Sequence, residues 1–339
     1  MSWMYDDITK IYDKHPETKL WIFINGCGGN VFSVAGYLKY LWDNYSIDIR
    51  TGKIGFVTIS ASGFPVLSLR CEDKSIFLAD CFHTFFHYNT CSQKGFDNIF
   101  EEGEDFLLNH FVNTYVFQKY SKTQNFKHIV ITTSIAQNTT HKLDWYYHDL
   151  SVNSNVPDDV YAKTILASAY LGFLDPATNW KGLKIGDLYH GDGTEWGTPP
   201  ENTLDLYESM GVTCISIKFA WNAFWGLTFM RRTTAYRWYE KGYNDISKSL
   251  KDSSSKLSEE FNDKDIFPRG DPTQPKQDES INFRVLHLSD SYHSRAYMAM
   301  SFFNPSKLAR DISFLIKLVR NNWVHVPKMT VFKGFITYE

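Results

Sequence analysis

The chain has 339 residues, of which 43% are hydrophobic and 22% charged, and its formal net charge is −3. That length suits one large α/β domain with insertions, and the apolar share suffices for a sizeable core. The charge balance argues against a nucleic-acid partner, which needs a basic face, and no run reaches the roughly 18 apolar residues of a membrane-spanning helix.

The first 19 residues mix acids and bases and lack the apolar stretch of a secretory leader. The expectation is therefore an intracellular protein, cytoplasmic or peripheral on membranes. Five cysteines (Cys27, Cys71, Cys81, Cys91 and Cys214) form no CxxC pair. An odd number without that spacing indicates neither a disulfide framework nor a zinc site. No cofactor or metal is expected. Aromatic residues reach 17%, which suits core packing or an apolar acyl pocket.

In chain order, residues 20–25 read as a short buried strand, followed at once by Gly26-Cys27-Gly28-Gly29-Asn30. Residues 31–45 carry Val34, Leu38 and Leu41 at helical spacing. A strand, a glycine turn and a helix N-terminus together present backbone N–H groups to anionic oxygen. Residues 54–59 are a second strand. Ser60 stands at its end, and Pro65 suits the first turn of a helix over 64–69. Strands are expected at 128–133, 212–219, 281–288 and 329–337, and a strand or loop at 183–189. Helices are expected at 161–171, 203–210, 223–241 and 305–322. Residues 247–280, rich in Ser, Pro and charge, read as a flexible insertion or loop. The chain is expected to form one domain over 1–339, its core spanning about 18–245 plus 281–339. Alternating strands and helices predict a layered α/β domain with a mostly parallel sheet.

The chemistry suggested by this order is acyl-ester hydrolysis. An ester carbonyl needs a nucleophile, a base for its proton, and donors for the developing oxyanion. Ser60, on a strand-to-helix turn, is the candidate nucleophile, with Ala61 after it. Ser62 is the competing serine. For both, the bland reading is a helix cap. Asp192, followed by Gly193, is the candidate base. Alone, an Asp-Gly pair usually marks a turn. Asp187, His190 and Asp192 form a loose cluster that reads weakly as a metal site; His141 and His148 could offer a Ser-His arrangement, although a lone histidine on a loop is more often solvated. Residues 219–230 are aromatic and precede Arg231 and Arg232; they read as a buried helix or an interfacial membrane element.

Four segments together resemble the patatin-like phospholipase family. They are Gly26-Cys27-Gly28-Gly29-Asn30-Val31, Thr58-Ile59-Ser60-Ala61-Ser62, the stretch 166–176 (LASAYLGFLDP), and Asp192-Gly193-Thr194. The resemblance implies a three-layer patatin-like fold, with a central mostly parallel sheet flanked by helices. It also implies a phospholipase A-type lipid acyl hydrolase. Ser60 would attack, Asp192 would act as base, and Gly26, Cys27, Gly28, Gly29 and Asn30 would form the oxyanion loop, supported by Ala61 and Gly193. The implied partner is a phospholipid or other acyl-ester lipid, met at a membrane surface. Cys27, Asn30 and Val31 depart from the family's loop pattern, and the elbow lacks both flanking glycines. The alternative expectation is accordingly an inactive descendant that is structural or binds lipid.

Overall fold

The computed structural model describes residues 2–24, 26–27, 31–69, 125–135, 143–169, 182–193, 214–217, 232–268, 329–332 and 335–338. The helices expected at 203–210 and 305–322, the strand at 281–288, the aromatic run 219–230 and His141 lie outside these residues.

Two central strands set the frame. Strand β2 (Leu20–Ile24) and strand β3 (Ile54–Ile59) are buried along their whole length. Continuous apolar runs of this kind suit strands covered on both faces. They pair in parallel from Leu20↔Ile54 to Ile24↔Thr58. Strand β4 (Lys127–Ile135) joins β3 in parallel, and strand β8 (Cys214–Ile217) joins β2 in parallel.

The rest of the sheet runs the other way. Strand β5 (Leu143–Asp149) pairs antiparallel with β4, and the short strand β1 (Met4–Tyr5) pairs antiparallel with β5. Strand β6 (Leu183–Ile185) and strand β7 (Leu188–Asp192) form a hairpin, and β7 pairs antiparallel with β4. Among the described residues, four of the seven pairings in this sheet are therefore antiparallel. The expected mostly parallel sheet is corrected on this point. Its physical reason lies in the connections: the links from β4 to β5 and from β6 to β7 are too short for the helical crossover that parallel neighbours need. A separate antiparallel pair is made by strand β9 (Met329–Phe332) and strand β10 (Phe335–Tyr338).

Side chains alternate across the strands, and each face has its own core. Ile22, Ile24, Ile54 and Phe56 pack with Val34, Leu38, Leu41 and Ile49 of helix α2 (Val31–Arg50). Trp21, Phe23, Val57, Ile59, Ile129 and Ile131 pack with Ile8, Ile11 and Tyr12 around helix α1 (Thr9–Tyr12). Helix α2 runs past the expected end at residue 45, with a non-helical Tyr45 (φ −128°, ψ 22°) inside it. Helix α3 (Gly63–Ser68) follows β3, and helix α4 (Asp158–Ser168) lies against β4, β6 and β7.

Helix α5 (Arg232–Lys251) lies along α2, where Tyr243 meets Tyr40 edge-on at 5.2 Å between ring centroids. Residues 247–268, expected as part of a flexible insertion, are instead largely helical. Helix α6 (Lys256–Asp263) starts at Ser255, whose side chain accepts from the Ser258 N–H at 3.1 Å. Phe261 and Ile266 bury in the α2 core, with Phe261 stacked edge-on against Tyr45. The apolar spacing of Leu257 and Phe261, four apart, overrides the polar composition. Among the described residues no helix is long and apolar enough to cross a membrane.

Candidate active site

The site arises from the way two strands share one edge of β4. Strand β3 pairs with β4 as far as Ile59↔Ile131. Strand β7 then takes over with Asp192 opposite Thr132 and His190 opposite Ser134. Because β3 runs with β4 and β7 runs against it, their C-terminal ends meet head to head. Ser60, the residue after β3, and Asp192, the last residue of β7, are thereby brought together across 132 positions of sequence.

Their side chains touch. Ser60 Oγ donates to Asp192 Oδ2 at 2.5 Å. Such a short distance is typical of a hydroxyl donating to a charged acceptor. Ser60 is half-buried and Asp192 fully buried.

Ser60 also departs from ordinary backbone geometry. Its φ is +61°, a region that a residue with a Cβ enters at a steric disadvantage. The turn that follows is a single 3-10 turn over Ser60–Ser62, leading into α3. Strain of this kind persists only where surrounding bonds over-determine it. Ser60 N–H donates to Ser168 Oγ at 2.8 Å, and Ser168 Oγ donates to the Ile131 carbonyl at 2.6 Å. The Ser60 amide is thus engaged. Ala61 begins inside the turn, where the first N–H groups of a helix lack intrahelical acceptors.

Ser62 has a different role. It is fully buried. Its Oγ accepts from the Ile59 N–H at 3.1 Å and lies 2.9 Å from the Ile24 carbonyl and 2.7 Å from the Ile59 carbonyl. With one hydroxyl proton to give, it ties the turn to β2 and β3. The two candidate serines therefore separate by partner: Ser60 faces a carboxylate and Ser62 faces backbone.

Asp192 is held from both sides. Thr133 Oγ1 donates to its carbonyl at 2.9 Å, and Trp145 Nε1 donates to the Gly193 carbonyl at 3.2 Å. Gly193 is sterically required. A Cβ there would lie 2.7 Å from two side-chain carbons of Ile59 and 3.0 Å from the Ile131 carbonyl oxygen.

Of the expected oxyanion loop, Gly26 and Cys27 are described, whereas Gly28, Gly29 and Asn30 lie outside the described residues. Cys27 is fully buried, and its thiol pKa is driven up, first by burial and then by the charge of Asp192. It is a neutral thiol close to the carboxylate, not a nucleophile.

A second polar group lies beside the pair, on the same sheet face as Asp192. Thr132 Oγ1 is 2.8 Å from His148 Nε2 and 2.9 Å from His190 Nδ1. One hydroxyl proton serves one ring, so Thr132 donates to one imidazole and accepts from the other. Both rings are fully buried. Burial lowers the pKa of His190 to about 4. For His148, burial and then the neighbouring His190 hold it well below the usual histidine range. Two neutral rings therefore line the face that carries Asp192. The expectation of a solvated His148 fails because it sits in β5, the strand missing from the sequence reading. Within the weakly suggested metal cluster, Asp187 is exposed while His190 and Asp192 are buried. No group of three ligating side chains is assembled among the described residues.

No family model, no curated protein and no solved structure matches the chain. The mixed sheet and this lack of a match overturn the resemblance to patatin-like phospholipases. The chain is not assigned to that family, and descriptors borrowed from it, patatin-like and the family's serine–aspartate chemistry among them, do not pass to it by descent. What Ser60 and Asp192 can do rests on their own surroundings.

Proposed function

We propose that this chain is a carboxylic-ester hydrolase, with Ser60 as nucleophile and Asp192 as base. The single observation that carries the reading is the 2.5 Å hydrogen bond from Ser60 Oγ to Asp192 Oδ2, made by a serine held at φ +61°. A serine hydroxyl is a weak nucleophile until a base takes its proton. A hydroxyl on a sharp strand-to-helix turn stands clear of neighbouring backbone and open to a substrate carbonyl.

In the proposed reaction Ser60 Oγ attacks the ester carbonyl carbon as its proton passes to Asp192. The tetrahedral oxyanion would be met by backbone N–H groups at the start of the 3-10 turn. The alkoxide leaves with the proton returned from Asp192, and the acyl group stays on Ser60. Water, deprotonated by Asp192, then releases the acid and restores the serine. Burial of the carboxylate favours each transfer, because electrostatic interactions strengthen away from water.

The test is hydrolysis of short-chain chromogenic esters and of phosphatidylcholine vesicles by wild type, Ser60→Ala and Asp192→Asn. The reading expects wild-type turnover that falls by at least a hundredfold in both variants with the fold intact. Turnover retained in Ser60→Ala overturns it. Absence of wild-type turnover on every ester moves the chain to the non-catalytic alternative.

A further inference from the structure

We propose that Ser168 is a positioning residue of this site, holding Ser60 in the left-handed conformation from which its side chain meets Asp192. The inference rests on the reading of Ser60 as nucleophile and deepens it. Ser168 is the last residue of α4 and is fully buried. Its hydroxyl accepts from Ser60 N–H at 2.8 Å and donates to the Ile131 carbonyl at 2.6 Å. Its one proton and one of its lone pairs are thus spent on β4 and on the residue that follows β3.

The position of these bonds matters more than their number. The β3–β4 ladder ends at Ile59↔Ile131, and Ser60 is the residue at which the chain leaves it. Ser168 Oγ stands between the Ser60 amide and the β4 carbonyl as a one-atom spacer. It satisfies the amide without drawing Ser60 into extended strand geometry. A φ of +61° at a serine needs such an anchor, since a buried N–H seeks whatever acceptor is nearest. Without the hydroxyl, the amide goes unsatisfied unless the turn rearranges to find another acceptor, and that rearrangement moves Oγ away from Asp192.

The spacer also joins three elements at one atom. Strand β4 carries Thr132, opposite Asp192, one residue beyond Ile131. Helix α4 lies against both β4 and β7. Ser168 therefore references the nucleophile to the strand against which the base is registered. A residue in this role acts on the alignment of the attacking atom and leaves substrate binding unchanged. Its loss is expected in the chemical step and not in affinity.

The experiment is the rate of covalent labelling of the full chain by a fluorophosphonate probe, read by mass spectrometry at Ser60. In that reaction Oγ bonds to phosphorus, fluoride leaves, and the hydroxyl proton passes to Asp192. Ser168→Ala is expected to lower the saturating labelling rate by tenfold or more, with the half-saturating probe concentration changed less than threefold. Ser168→Thr, which keeps the hydroxyl, is expected to recover the rate to within about threefold of wild type. Should Ser168→Ala not fold, Ser168→Cys retains the volume with a weaker hydrogen-bonding group and is expected to be slower than wild type by at least threefold. A wild-type rate in folded Ser168→Ala or Ser168→Cys overturns this inference alone. Wild type that is not labelled at Ser60 overturns the hydrolase reading and this inference with it.

Discussion

Replacing Ser60 by glycine should give a more stable protein than replacing it by alanine. Both changes remove the hydroxyl and its bond to Asp192, so that loss cancels in the comparison. What remains is the backbone. At φ +61° an alanine Cβ meets the following carbonyl, a penalty of about 1–2 kcal/mol that glycine escapes. Against this, glycine gives the unfolded chain more freedom and loses about 0.4–1 kcal/mol. The balance favours glycine by roughly 0.5–1 kcal/mol, opposite in sign to the same pair at an unstrained position. Urea denaturation of the two variants side by side reads the difference as a shift in midpoint at equal slope. If Ser60→Ala is as stable as Ser60→Gly, or more so, the left-handed serine and the strained turn built on it are wrong.

Three further outcomes follow from the same surroundings. Ser62→Ala leaves the buried Ile59 N–H without its side-chain acceptor and should destabilise the chain by about 1–3 kcal/mol, seen in thermal melts. Its effect should exceed that of removing the exposed Ser253, which lies between α5 and α6. Gly193→Ala forces a Cβ to within 2.7 Å of Ile59 carbons and 3.0 Å of the Ile131 carbonyl oxygen. Overpacking of this kind typically destabilises by about 1–3 kcal/mol, and esterase activity should fall as Asp192 is displaced. For pH, His190 is neutral in the folded state down to about 4, whereas an unfolded histidine titrates near 6.5. The unfolded chain alone binds the proton between those values, so stability is complete above about 6.5 and falls as pH drops towards 4. The loss attributable to this residue is on the order of 3 kcal/mol. A His190→Gln variant should show a shallower decline of stability between pH 6.5 and 4.5 than wild type; an unchanged slope would contradict the buried neutral ring.

Much of the site was legible from local chemistry. The apolar run ending at residue 59, a serine, and Pro65 in the next helical turn marked a strand-to-helix turn, and the structure has β3 at Ile54–Ile59 and α3 at Gly63–Ser68. Asp192 and Gly193 stood out as a small motif, although the reason for the glycine, its contact with Ile59 and the Ile131 carbonyl, belongs to tertiary packing. Strand direction was not legible. Side-chain periodicity is the same for parallel and antiparallel strands, so β7 could not be told from a parallel neighbour, and it is its antiparallel run that delivers Asp192 to Ser60. Strand β5 was missed because His148 and Asp149 look polar in isolation. In the fold His148 is fully buried and close to Thr132, and Asp149 is buried with its Oδ2 3.1 Å from His15 Nε2. Ser168 stood in the stretch 166–176 that entered the resemblance, but its role was not legible there, because its two partners are 108 and 37 residues away.

The most direct test of the central claim is trapping the acyl-enzyme. Wild-type protein is mixed with a p-nitrophenyl ester, quenched in acid within the first turnovers, digested and read by tandem mass spectrometry. The account predicts the acyl mass on Ser60, absent from Ser60→Ala and strongly reduced in Asp192→Asn. Ester turnover with Ser60 unmodified, or an acyl group found on Ser62 instead, would contradict it.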